Sequence, residues 1–432
     1  MTRHFWVLIH RYAGLYMAAF LIVAGLTGSI MAFTPEIQNG LNPPLKVAQQ
    51  SGARLDEFTL RERAQALVPQ GLVTSLDLHR KPGEAYTARF EPRVDPATGK
   101  PFELNLTVLT LNPCSGAEIS RLKEPDGFWP ITRQNFMAFV IALHYRLAVP
   151  GSIGVWLFGI AALIWTIDCF VSAYLTFPLS VRRRADGKPR ATKRAPRSWW
   201  ARWKHAWMVK WSASTYRINF DLHRAGGLWV WLMLLVLAWS SVGFNLNEQV
   251  YMPVMKAVFR MPDPYGDVPT LDPPRPEPAL AWREAHAVGQ RLMAEQARRN
   301  GFNIEREEAL MYIAEKGVFL YSVRSDRDVM DAVGATYVMF DAISGRDAGL
   351  ILPTGQNLGN TINSWIFALH TATIWGLPFK IFVCAMGIVI AMLSITGVYL
   401  WLKKRRAIAG RRQRQSAVSV DSARSSVKTW PG

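Results

Sequence analysis

Apolar residues along this 432-residue chain are bunched into four runs that carry almost no charge. They lie near Tyr12–Thr34, Ser152–Pro178, Gly226–Leu246 and Phe379–Leu402. Each approaches the roughly 20 helical residues needed to cross a hydrocarbon core about 30 Å thick. Between the runs the period changes. "LDEFTLRERAQALVP" and "EPALAWREAHAVGQRLMAEQARRNG" have helical spacing. "LVTSLDLHR", "EAYTARFEP", "FELNLTVLTLNPCSGAEI", "ALMYIAEKGVFLYSVRS" and "ATYVMFDAISGRDAGLIL" alternate, as short antiparallel strands do. "LNPCSG" and "FDAISG" each predict a turn between the last two strands of their region. The proline-rich stretch 260–278 reads as an extended linker.

The order repeats: span, external domain, amphipathic histidine segment, span, basic flank, over roughly 1–190 and again over 215–406. The fold class this predicts is membrane α-helical: a four-transmembrane-helix bundle from two tandem repeats, with two small α+β external domains. The segments are a first span (1–34), an external domain (35–130), and an interfacial helix with the second span (131–180). A basic loop (181–220) leads to the third span (221–247) and a second external domain (248–356). An interfacial helix with the fourth span (357–402) and a basic tail (403–432) complete the chain. The first run has no small-residue cleavage site of the usual kind, so it reads as a retained span.

Charge fixes the orientation. The chain carries +18, of which +11 falls in 181–220 and +8 in 403–432, leaving the rest near neutral. Basic residues concentrated at the ends of alternate spans are topology determinants that face the cytoplasm, so both termini are expected inside. Contact with anionic membrane lipid is a second role for them. Charge placed this way excludes nucleic acid as the partner. Three cysteines, Cys114, Cys169 and Cys384, form no CxxC or Cys/His spacing, which sets aside zinc and iron–sulfur centres. No glycine-rich nucleotide fingerprint occurs either, so electrons would have to come from a quinol or a partner.

Four histidines occupy matched places. His10 and His223 open the first and third runs at one depth; His144 and His370 precede the second and fourth at another. Ionisable groups held at membrane depth are functional candidates by default. Two imidazoles at each of two levels form the ligand set for two b-type haems, bound without covalent attachment because no CxxCH is present. On helical spacing His10 shares a face with Gly14, Ala18, Leu21, Gly25 and Gly28, and His223 with Gly227, Val230, Leu234, Ala238 and Ser241. Small residues there serve close helix approach or leave room for a flat macrocycle. Arg11, Arg224 and Arg146 lie near enough in sequence to neutralise propionates. Asp168, the acid well inside a span, is an acceptor for an imidazole, a partner of Arg11 or Arg224, or simply a structural carboxyl. His4, His79, His205 and His286 are expected at surfaces or interfaces, with His205 the reserve ligand if the inner pair fails. The bland alternative makes every histidine an interfacial polar residue.

"LIHRYAGLYMAAFLIVAGLTGSIMAF", "ALHYRLAVPGSIGVWLFGIAALIW", "LHRAGGLWVWLMLLVLAWSSVGF" and "ALHTATIWGLPFKIFVCAMGIVIAMLSITGVYLWL" resemble the PepSY-associated transmembrane proteins over about residues 3–406. The third run ends "AWSSVGFN", unlike the LTG-type ending of the first. The resemblance implies periplasmic PepSY-like domains and an inner-membrane location. It also implies two haem b held by His10, His144, His223 and His370, and kinship with di-haem reductases that release Fe(II) from ferric siderophores. A non-enzymatic PepSY protein that binds an envelope partner or peptidase is the alternative.

Overall fold

The computed structural model describes residues 2–43, 54–81, 83–124, 127–179, 198–331 and 333–427, with side chains through Gly410. Along the chain, α1 (Arg3–Met31) is followed by α2 (Glu57–Leu67), whose first turn is capped by the Asp56 carboxylate on Phe58 and Thr59 N–H. Strands β1 (Ser75–Asp77), β2 (Tyr86–Arg89), β3 (Val108–Leu111) and β4 (Glu118–Leu122) come next. Helices α3 (Phe136–Arg146), α4 (Ile153–Thr176), α5 (Thr215–Trp229), α6 (Trp231–Asn245) and α7 (Trp282–Asn300) follow. Then come β5 (Ile304–Ile313), β6 (Val318–Ser325), β7 (Thr336–Asp341) and β8 (Asp347–Ile351), before α8 (Leu358–Thr371) and α9 (Gly376–Val427).

Two compact units result. The helical unit takes residues 1–32, 141–251 and 381–432; the sheet-bearing unit takes 33–140 and 252–380. Three helical stretches, Arg3–Met31, Ile153–Thr176 and Gly376–Gly410, are long and apolar enough to cross a membrane. The expected third span departs from a single helix. Residues 221–247 fall on α5 and α6, which are long and apolar enough to cross a membrane only when taken as a pair and are bent by 72°, with Val230 at φ −115° and ψ 13° between them. The Gly226–Gly227 pair weakens the last turn of α5, just ahead of the bend. Apolar α6, at 15 residues, is only about 22 Å long. The fourth helix runs past Leu402 through the basic tail to Val427. Of the basic loop expected over 181–220, residues 181–197 lie outside the described residues.

Helix packing in this unit follows the glycines. A Cβ on Gly25 of α1 would lie 2.5 Å from the Gly387 carbonyl oxygen of α9, so only glycine permits that crossing. Ser29 nearby donates to the Cys384 carbonyl at 2.8 Å. The Trp231 indole N–H donates to the Cys169 carbonyl at 2.7 Å, tying α6 to α4. Leu234, Leu237, Ala238, Met386 and Ile390 fill the space around Cys169.

The sheet-bearing unit joins the regions 35–130 and 248–356 through one shared sheet. Strand β1 of the first pairs antiparallel with β5 of the second, Leu76 opposite Leu310, completing a five-stranded sheet of order β8-β7-β6-β5-β1. The first region keeps a three-stranded sheet, β2-β3-β4, plus a two-residue pairing of Gly71–Leu72 with Glu91–Pro92. Pairing covers an edge of β5 that would otherwise present open backbone groups. The Arg61 guanidinium lies 3.9 Å over the Trp282 ring and reinforces the join. Both expected turns have one design. The Asn112 side chain accepts from Cys114 and Ser115 N–H, and Asp341 accepts from Ile343 and Ser344 N–H. Gly116 and Gly345 then take φ 69° and 66°. The proline-rich linker is not wholly extended, because Asp263 caps a one-turn helix, Pro264–Asp267. His286, expected at a surface, is instead tucked between Phe58 and Tyr321 and bonded to Glu307.

Candidate functional site

The first two histidines meet. His10 is the eighth residue of α1, and His223 sits on α5 ahead of the bend. Their ring centres are 6.0 Å apart with the planes at 55°. Two imidazoles sharing one metal through nitrogen bonds of roughly 2 Å have centres about 6 Å apart. The angle between their planes is free, since each ring rotates about its own metal–nitrogen axis.

Both rings are fixed through Nδ1. His10 Nδ1 lies 3.0 and 2.9 Å from the two Asp168 oxygens. Among the roles open to Asp168, the imidazole acceptor is the one seen. His223 Nδ1 lies 3.0 Å from the Leu393 carbonyl and 3.1 Å from Thr396 Oγ1. Thr396 already donates its own hydroxyl proton to helix carbonyls at Met392 and Leu393. Its lone pair is therefore what meets the ring, and Nδ1 carries the proton. Neither Nε2 has a hydrogen-bond partner among the described residues. A tautomer held this way leaves Nε2 as a bare donor.

Both imidazoles line a cavity of about 490 Å³, inside the roughly 300–1,000 Å³ range of small-molecule and cofactor pockets. Gly14 and Gly227 form part of its wall, and a Cβ at either would meet nothing within 4 Å. The glycines thus divide their labour: Gly25 serves close helix approach, whereas Gly14 and Gly227 open space beside the rings. Arg11, Arg224 and Lys404 also line the cavity. Arg224 is shared, because it bonds the buried Asp221 carboxylate at 2.8 Å and the His205 carbonyl at 2.8 Å. His205 itself is exposed, bonds its own helix at Ala201, and does not line the cavity.

His144 ends α3 in the helical unit, with Nδ1 3.0 Å from Thr27 Oγ1. A Cβ on Gly28 would come within 3.1 Å of its Cε1. Gly397 stands in the same relation to His223, at 3.2 Å. A Thr-Gly pair thus cradles each of these two histidines, Thr27–Gly28 on α1 and Thr396–Gly397 on α9. Arg146, two residues on, places its guanidinium 5.5 Å from the Tyr145 ring. His370 ends α8 in the sheet-bearing unit, where Ala372 turns the chain with φ 55°.

Sequence reasoning missed three features here. The Thr-Gly cradles were legible as "LTG" and "ITG", but the second falls in the fourth run, not the third where a repeat of the first was sought. Asp221 was legible from its spacing of three residues to Arg224 on a helix. Its burial to 1 % exposure was not. No curated protein matches the chain. A family model described as "PepSY-associated TM region" matches residues 7–404. With nearly its whole length matched, the chain belongs to the PepSY-associated transmembrane family.

Proposed function

We propose that this protein is a di-haem reductase of the bacterial inner membrane that passes electrons outward to a ferric siderophore and releases Fe(II) in the periplasm. In this reading the four spans form one bundle built from two tandem repeats, with both termini cytoplasmic. The observation that carries it is the His10–His223 pair: two rings 6.0 Å apart, each anchored through Nδ1, lining one cavity.

The residues fit a bis-imidazole haem b. His10 and His223 would hold the inner one, with Arg11 and Arg224 placed for its propionates; for a second haem the family resemblance implies His144, beside Arg146, and His370 as ligands. Bound there, the two haems supply a one-electron relay whose chemistry is their own. The protein's part is to fix the imidazoles, exclude water and keep the site in a low-dielectric wall. A quinol donor gives up two electrons and two protons, enough to reduce two ferric chelates to the ferrous state. A cytoplasmic reductase is the other donor class. The chelate's hard oxygen ligands hold Fe(III) far more tightly than Fe(II), so gaining one electron loosens the metal.

The test is colour followed by turnover. Protein purified from haem-replete cells should show a Soret band and sharp α and β bands on dithionite reduction. Those bands should bleach as a ferric siderophore is added and a ferrous chelator traps Fe(II). Colourless protein would overturn the proposal in favour of a non-enzymatic PepSY protein that docks an envelope partner. Pigmented protein that ferric chelates do not reoxidise would leave the haems and remove the substrate.

A further inference from the structure

The inner pair is built unequally, and this inference rests on the haem reading just given. Asp168 and Thr396 occupy equivalent places on their helices. Each lies nine residues after a Gly-Ile pair, Gly159–Ile160 in one case and Gly387–Ile388 in the other, and each follows an isoleucine. Both side chains are buried at 7 % exposure, and each receives the Nδ1 proton of one inner histidine. Yet one is a carboxylate with both oxygens within 3.0 Å of the ring. The other is a neutral hydroxyl assisted by the Leu393 carbonyl. His144, which pairs with Thr27, has the neutral arrangement as well.

We propose that Asp168 makes His10 the stronger donor of the inner pair and thereby lowers the midpoint potential of that site. A hydrogen bond to a charged acceptor is roughly twice as strong as one between neutral groups. A carboxylate behind a ligating imidazole raises its basicity, and a more basic axial ligand favours the oxidised metal. Asp168 is a positioning residue, acting on the metal only through His10. An inner site more reducing than one held by hydroxyls alone favours electron flow away from it.

Potentiometric titration of the purified protein, followed through the α bands, tests this without any turnover. The wild type should titrate as two components. D168N should raise one midpoint and leave the other where it was, and D168E should return the moved one toward its original value. T396V should shift the same component less than D168N, because the Leu393 carbonyl still accepts the His223 proton. T396D, giving His223 a carboxylate too, should lower it, which keeps the test decisive if D168N binds one haem poorly. Two bound haems with both midpoints unmoved in D168N, or unmoved or raised in T396D, would overturn the proposal while the haem assignment stands. Colourless wild-type protein would overturn the assignment and this proposal with it.

Discussion

Each unit of this protein contains a histidine–carboxylate pair, and the two use opposite ring nitrogens. In the sheet-bearing unit His286 gives Nε2 to Glu307 at 3.0 Å. The same carboxylate also receives the Tyr321 hydroxyl at 2.6 Å and the Gln290 amide at 2.7 Å. Three donors thus converge on one Glu307 oxygen. The His286 hydrogen bond, helped by those from Tyr321 and Gln290, holds the Glu307 carboxyl down at about 2 and staples α7 to β5 and β6. In the helical unit His10 gives Nδ1 to Asp168, and the residue lines a cavity walled in part by glycines. A carboxylate that gathers three donors contributes stability; one that holds a single imidazole beside a cavity leaves that ring placed for chemistry. Burial and a carboxylate partner alone do not separate the two cases. The nitrogen used, and the number of donors on the carboxylate, do.

That contrast makes the sheet-bearing unit sensitive to loss of packing and the helical site sensitive to gain of volume. Phe319 is fully buried and stacked on Phe340 at 5.6 Å. Phe319→Ala should cost about 3–5 kcal/mol, read as a large fall in the unfolding midpoint of that unit. A shift under about 1 kcal/mol would mean that the five-stranded sheet does not hold this core.

Glu307→Gln should cost roughly 1–3 kcal/mol near neutral pH by replacing charge-assisted bonds with neutral ones. The pH profile gives the sign. A carboxyl held below its usual range stabilises the fold fully above roughly pH 5 and loses that contribution as pH falls toward 2. The wild type should therefore lose stability on this acid limb, and the variant should lose less. Parallel limbs would show that Glu307 is not the group responsible.

Gly14→Leu should have the smallest effect on stability, within about 0.5 kcal/mol, because a Cβ there meets nothing. On the proposed di-haem reading it should nonetheless cost one haem by filling the cavity. Gly387→Leu supplies the contrast: on the close crossing with Gly25 it should cost about 1–3 kcal/mol through overpacking. If Gly14→Leu destabilised like Gly387→Leu and kept its pigment, both glycines would be serving helix approach.

Much of this was legible before any coordinates, for physical reasons. Apolar runs must be long to cross hydrocarbon, and histidines are costly there, so both stand out in a single sequence. The alternating runs around "LNPCSG" and "FDAISG" carry their turn chemistry locally. What stayed hidden depends on distant partners. The bend at Val230 lies in an unbroken apolar stretch, so hydropathy passes over it. Strand β1 has three residues, too few for a pattern to declare that it joins β5, more than 230 positions away. His286 looked like a surface residue because its burial comes from Phe58 in the other external region. Which acceptor lies behind each imidazole is likewise a matter of helix against helix, which spacing within one helix does not encode.

The most direct test of the central claim is haem counted per chain by pyridine haemochrome, in the wild type and in His10→Ala and His223→Ala. Two haems in the wild type and one in each variant, with the same component lost from both spectra, is the predicted result. An unchanged count, or two different components lost, would mean that His10 and His223 do not share an iron.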